Sequence, residues 1–141
     1  MIILDTNVIS ELMRVELHEN VFTWLNNQVR KQVFVTSISL FEIRYGIENL
    51  NPSKRREALT HAFDQFMREG IEMRVLSFDG RAAEQAATLT VQRKAQGRVT
   101  GERDTFIAAI TLCNDATLAT RNVRDFDDLQ LKLVNPWSYA P

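Results

Sequence analysis

Three acidic residues stand next to short apolar segments, and they are the first candidates for chemistry. Asp5 follows Ile2-Ile3-Leu4 directly. Glu42 comes a few residues after Val33-Phe34-Val35, beyond the polar step Thr36-Ser37-Ile38-Ser39. Asp104 opens the apolar stretch Ile107 to Leu112, which leads to Thr117-Leu118-Ala119-Thr120 and then to Asn122 and Asp125. Far apart in sequence, Asp5, Glu42 and Asp104 can still converge if the apolar segments end at one edge. Carboxylates brought together repel unless a proton or a cation sits among them. Hard divalent cations such as Mg²⁺ take oxygen ligands of this kind, so the chemistry on offer is that of an acid-held metal.

Each acid also has an ordinary structural reading. Asp5 can cap a helix starting near Asn7. Ser39-Leu40-Phe41-Glu42 has the form of a capping box, with Glu42 reaching back to a backbone N–H. Asp104 near a helix start complements the macrodipole, and Asp125 can be a turn acid before Phe126. Other chemistries find less support. G-x-S-x-G, G-x-x-x-x-G-K-[ST] and G-x-G-x-x-G are all absent. Gly97 and Gly101 make a G-x-x-x-G, but in the polar loop Gln96 to Gly101. His61 falls on the polar side of its helical stripe, His18 lies in a polar helix start, and Cys113 ends an apolar helix as a small core residue. Strand then Asp5-Thr6-Asn7 is similar to the nucleophile segment of haloacid-dehalogenase-like phosphotransferases. That chemistry wants a second Asp where Asn7 stands, and Asn cannot transfer protons.

The elements that must position these acids can be read from the periodicity. Ile2 to Leu4, Val33 to Val35 and Thr117 to Thr120 read as buried strands. Arg74-Val75-Leu76 and Leu131 to Val134 are less apolar candidates. Between them, Ala58, Leu59, Ala62, Phe63, Phe66 and Met67 form one apolar stripe at helical spacing, in a helix over Ser53–Arg68 with Pro52 at its start. Ala82 to Leu89, Ile107 to Leu112, Val21 to Leu25 and Leu40 to Ile47 give four more helices, that of Ile107 to Leu112 nearly all apolar. Strands alternating with helices imply a parallel sheet covered on both faces. Such sheets bind ligands beyond the carboxyl ends of their strands.

The chain has 141 residues, the size of one domain, with 17 Lys+Arg against 18 Asp+Glu. At 45% hydrophobic and 25% charged, it is neither disordered nor an acidic tail. A net charge of −1 makes any case for nucleic-acid binding a local one. One Cys and two His cannot build a Cys₄ or Cys₂His₂ zinc site. The opening segment has no basic region before its apolar run, so no signal peptide is expected. No stretch approaches a membrane span. The expectation is a cytoplasmic single domain over residues 1–141.

Taken in order, the motifs match a family. Ile2-Ile3-Leu4-Asp5-Thr6-Asn7-Val8-Ile9 resembles the opening of PIN domains, in particular VapC-type toxins and their FitB-like members. The resemblance continues through Thr36 to Gly46 and Asp104 to Ala109. It resumes at Leu118-Ala119-Thr120-Arg121-Asn122-Val123-Arg124-Asp125-Phe126 and closes with Asn135-Pro136-Trp137. Between Asn51 and Gly101 only the helical character matches.

The resemblance implies an α/β fold, a three-layer α/β/α sandwich around a parallel sheet of four or five strands. It implies a Mg²⁺- or Mn²⁺-dependent endoribonuclease, the toxin of a toxin–antitoxin pair, with a cognate DNA-binding antitoxin and a homodimeric state. The family's acids map to Asp5, Glu42 and Asp104. Asp5 and Asp104 would be the main metal ligands, and Glu42 would ligate directly or through water. Thr6 would orient Asp5 or a water at the metal. The fourth position falls on Asn122, which would face the site, with Asp125 in support. Around the acids, Arg93, Lys94, Arg98, Arg103, Arg121 and Arg124 are candidates to meet RNA phosphates; Arg93 and Lys94 equally suit a solvated helix face. Leu12, Met13, Ile43 and Ile47 suit either core packing or an antitoxin groove. The alternative function is a catalytically weak PIN-fold module acting through its partner.

Overall fold

A computed structural model describes residues 1–98 and 101–140. Val99 and Thr100, in the polar loop expected from the sequence, and Pro141, the last residue of the expected single domain, lie outside the described residues. Five parallel strands form one sheet in the order β3-β2-β1-β4-β5. They are β1 (Ile2–Leu4), β2 (Val33–Thr36), β3 (Val75–Leu76), β4 (Thr117–Ala119) and β5 (Lys132–Val134). The register is set by Ile2 against both Val33 and Thr117, and by Leu118 against Leu133. All five strands lie where the sequence places them.

The helices are α1 (Thr6–Leu12), α2 (Glu19–Asn26), α3 (Ser37–Glu48), α4 (Lys54–Gln65), α5 (Gly80–Ala95) and α6 (Glu102–Cys113). One face of the sheet packs Ile3 and Leu118 against Ala82, Ala86 and Leu89 of α5 and Ile107 to Ile110 of α6. The other packs Leu4, Val33 and Val35 against Val8 and Ile9 of α1, Trp24 of α2, Ile43 and Ile47 of α3 and Phe63 of α4. Phe63, Ile3, Leu4 and Ile107 are fully buried, each stabilising the fold by about 1.5–3 kcal/mol. This is the three-layer sandwich expected. The sequence departs from it in one helix. Ser53 caps α4 through its side chain, so Pro52 lies outside, and at Phe66 the helix widens into a π turn over Phe66–Gly70.

The chain runs outward from β1 to β2 and β3, then returns across the sheet to β4 and β5. The switch therefore falls between β1 and β4, where a crevice opens beyond the carboxyl ends of the strands. Two devices fix that edge. Asp5 N–H donates to the Ala119 carbonyl at 2.9 Å, joining the ends of β1 and β4. On the α5–α6 side, Arg93 is 2% exposed, not on a solvated face. Its Nε and Nη2 each lie 3.1 Å from the Asp128 carboxylate, and its Nη1 donates to Thr105 Oγ1 at 3.2 Å. Nη2 also donates to the Asp125 carbonyl. One guanidinium thus joins α5, the first turns of α6 and the loop after β4. Removing one partner of such a buried pair leaves the other charge stranded. Asp128→Ala is expected to cost about 3–5 kcal/mol, read as a lower urea midpoint with the m-value unchanged.

Candidate active site

The three residues after β1, Asp5, Thr6 and Asn7, begin the site. Asp5 caps α1: its Oδ1 accepts the Thr6 N–H at 2.8 Å. Its Oδ2 accepts the Thr120 hydroxyl at 2.8 Å and the Asn7 side-chain amide at 3.3 Å. Capping α1 therefore engages Oδ1 and does not use up the carboxylate. Thr6 also carries its hydroxyl to Glu42 Oε1, at 2.9 Å, and to Ser39 Oγ, at 2.8 Å. The sequence assigns Thr6 to Asp5 or to a water; the structure puts its backbone on Asp5 and its hydroxyl on Glu42.

Glu42 is not part of a capping box. Thr36 caps α3 instead, its Oγ1 accepting the Ser39 N–H at 3.1 Å. The helix starts earlier than Ser39, so Glu42 lies in the second turn, where its side chain can cross to Thr6. Asp104 stands in the first turn of α6, as expected. Asp5, Thr6, Asn7, Ser10, Glu42, Asp104, Asn122 and Asp125 line one cavity of about 340 Å³. Asn7, Ser10 and Thr120 are the functional-looking residues that the sequence reading passes over. Thr120, closing β4 with an inward hydroxyl, is the one whose position could have been inferred.

The electrostatics follow from this crowding. Burial pushes the Asp5 carboxyl up to about 6; the Thr120 and Thr6 hydrogen bonds oppose the rise, and the charges of Asp104 and Glu42 add to it. Asp104 is also held above the usual carboxylate range, by burial first and then by the charges of Asp125 and Glu42, with Arg93 opposing. Among the described residues, no hydrogen-bond donor reaches the Asp104 carboxylate. Asp5, with three donors on about four acceptor positions, keeps one position open. Hard carboxylate oxygens with spare acceptor capacity fit a divalent cation. Among the described residues, no three of the acids stand close enough to enclose an ion by themselves. Mg²⁺ does not require that, since it keeps several waters and takes one or two carboxylates directly.

The basic residues divide. Arg98 is turned away, with Nη1 2.7 Å from Asp127 and 3.2 Å from Asp128 and its Nη2 on the Arg124 carbonyl. Arg103 leans toward Glu42, Nη1 to Oε2 at 3.7 Å. Arg121 lies over the Trp137 ring, 5.1 Å from its centroid, and the Arg124 and Lys94 side chains are exposed. Beside the acid cavity, a larger groove of about 830 Å³ shares Thr6, Ser10 and Glu42 with it and is lined by Met13, Ile43, Ile47, Leu50 and Leu59. Leu12, grouped with that groove by the sequence, lines a separate cavity with Leu17 and Phe22.

Comparison with known proteins gives the family. Residues 2–131 match the PIN domain, and the chain belongs to that family. Within it, the chain resembles the VapC and FitB proteins. It is 34% identical over 140 residues to VapC ribonuclease Y4jK of Sinorhizobium fredii, covering 99% of this chain and 100% of that one. It is 32% identical to toxin FitB of Neisseria gonorrhoeae, covering 97% of this chain and 99% of the relative. The structure of FitAB bound to the IR36 DNA fragment superposes with a TM-score of 0.88 at 31% identity, covering 100% of this chain and 99% of that chain.

The raised Asp5 carboxyl has a consequence for stability. A group whose folded pKa exceeds its unfolded value favours the fold below the unfolded pKa, and that contribution is lost as pH rises through the folded pKa. For Asp5 the window runs from 3.8 to about 6. Asp5→Asn is therefore expected to remove this pH-dependent penalty, a gain above pH 6 that the amide donor it turns toward Thr120 and Asn7 partly offsets. Chemical unfolding at a series of pH values checks this: the gain should shrink steadily toward pH 4.

Proposed function

We propose that this protein is the toxin of a toxin–antitoxin pair and that it is a divalent-metal-dependent endoribonuclease. The observation that carries the reading is the convergence of Asp5, Glu42 and Asp104 on one cavity at the switch point of the sheet, with Asp5 buried among like charges. Asp5 and Asp104 would hold the ion directly, and Glu42 would do so directly or through water. A bound Mg²⁺ or Mn²⁺ would supply positive charge for the phosphoryl oxygens and make water a better nucleophile. Thr6 fixes Asp5 and Glu42 relative to each other, through its backbone and its hydroxyl. The resemblance puts the fourth position on Asn122 with Asp125 in support; we read Asp125 as the fourth acid instead, since it lines the same cavity and its charge bears on Asp104. Asn122 lines the same cavity as a neutral group that can hydrogen-bond the substrate. On the rim, the Arg121 and Arg124 side chains meet RNA phosphates, while Arg98 serves the Asp127–Asp128 corner.

The groove lined by Met13, Ile43, Ile47, Leu50 and Leu59 takes a segment of the antitoxin, a small DNA-binding protein, and runs on to Glu42 and Thr6. The toxin acts as a homodimer in the cytoplasm; no helix among the described residues is long and apolar enough to cross a membrane. The size of the groove also favours a second reading, a catalytically weak module that works through its antitoxin. That reading expects no ion binding by calorimetry and no RNA cleavage.

Asp5→Asn and Asp104→Asn proteins are expected to remain folded and to lose RNA cleavage by about 100-fold or more, the worth of several kcal/mol of charge stabilisation. EDTA should abolish cleavage by the unsubstituted protein. Cleavage that persists in EDTA refutes the metal-dependent reading. To separate the fourth-position residues, Mn²⁺ titration by calorimetry should show Asp125→Asn weakening the ion more than Asn122→Ala; the reverse order would give the position to Asn122.

A further inference from the structure

Phe41 and Tyr45 stand one turn apart on α3, flanking Glu42. Their ring centroids are 5.9 Å apart with planes 23° from parallel, and each residue is 54% exposed. Two large aromatic rings on an exposed face contribute nothing to the core, so packing does not account for them. Arg103, half-exposed at the start of α6, covers both rings: its guanidinium carbon lies 5.3 Å from the Phe41 centroid and 5.9 Å from that of Tyr45. The same guanidinium reaches to 3.7 Å from Glu42. A paired aromatic surface topped by a cation thus abuts the rim of the acid cavity.

We propose that Phe41, Tyr45 and Arg103 form a stacking platform for an unpaired RNA base, holding the strand so that a neighbouring phosphate meets the acid cavity. The proposal rests on the ribonuclease reading. Unpaired bases are held by stacking on aromatic rings and on guanidinium planes. Such contacts tolerate sequence, since every base has a π face. The charge is complementary as well. Arg103 lies against both rings and close to Glu42, and it offers the polyanion a favourable approach to a negatively charged site. Phe41 and Tyr45 are positioning residues: they act on where the strand lies, while Glu42 between them serves the reaction.

The test uses a short unstructured oligoribonucleotide carrying one 2-aminopurine, bound in EDTA so that the strand stays intact. The unsubstituted protein is expected to quench its fluorescence through stacking. In the Phe41→Leu/Tyr45→Leu variant, apolar bulk stays on the exposed helix face but the π faces are gone. That variant should lose the quench and bind roughly 10- to 100-fold more weakly, and in Mg²⁺ its KM for RNA should rise more than its kcat falls. Phe41→Tyr/Tyr45→Phe should keep both signals. Unchanged quench and affinity in the leucine variant overturn the platform. So does a leucine variant that binds RNA normally but sediments as a smaller species, since the rings would then join copies of the chain. Absence of Mg²⁺-dependent cleavage by the unsubstituted protein, with the quench intact, refutes the ribonuclease reading and leaves the platform standing.

Discussion

The structure depends on holding carboxylates together at the carboxyl edge of a parallel sheet. Left alone, Asp5, Glu42, Asp104 and Asp125 would separate or take up protons; the Asp5 and Asp104 carboxyls are raised first by burial and then by these neighbouring charges. What restrains Asp5 and Glu42 is a set of short hydrogen bonds from neutral donors. Thr120 and the Thr6 N–H hold Asp5, the Thr6 hydroxyl holds Glu42, and Thr36 starts α3 at the position that lets Glu42 reach Thr6. Hydroxyl and amide donors stabilise a carboxylate's position while leaving its negative charge available. A Lys or Arg fully paired with Asp5 would relax the strain and also fill the place of a cation.

The same logic explains how the basic residues are used. Near-zero net charge leaves enough arginine to surround the acids, yet much of it is committed to scaffolding. Arg93 is buried on Asp128, and Arg98 pairs with Asp127 and Asp128. These two anchor the loop after β4 to α5 and so set where Asn122 and Asp125 stand. Arg121 and Arg124 flank Asn122 on the outside of that loop. A polyanion approaching the crevice therefore meets positive charge at the rim before it meets the acids within.

Much of this was legible in the sequence because the physics is local. Ile2 to Leu4 and Thr117 to Ala119 are β-branched or apolar runs too short for helices, and parallel order follows from the helices between them. Asp5 and Asp104 were legible because each sits within one residue or one turn of an element boundary. The failures are equally physical. Ser39-Leu40-Phe41-Glu42 has the letters of a capping box, but Thr36 lies one turn earlier and accepts the Ser39 N–H, so the helix begins there. Arg93 reads as a phosphate contact or a solvated face, and the structure buries it instead, because its partner Asp128 is distant in sequence and belongs to a loop. The π turn at Phe66 has no composition signal, since its residues continue the apolar stripe of α4.

Asp5 shows why the structural and chemical readings of one residue need not compete. A helix cap needs a carboxylate oxygen on a backbone N–H; a metal ligand needs an oxygen with a lone pair facing a cavity. A carboxylate has two oxygens and about four acceptor positions, and Asp5 uses three of them within the protein. Asparagine at this position could keep the cap through its single oxygen, but it would turn a donor toward Thr120 and Asn7 and remove the charge. Serine or threonine could cap α1 and would leave nothing for an ion. Of the good capping residues, aspartate alone satisfies the helix and still presents a charged oxygen to the crevice. On the proposed reading, the carboxylate at the start of α1 would thus meet two demands at one atom pair.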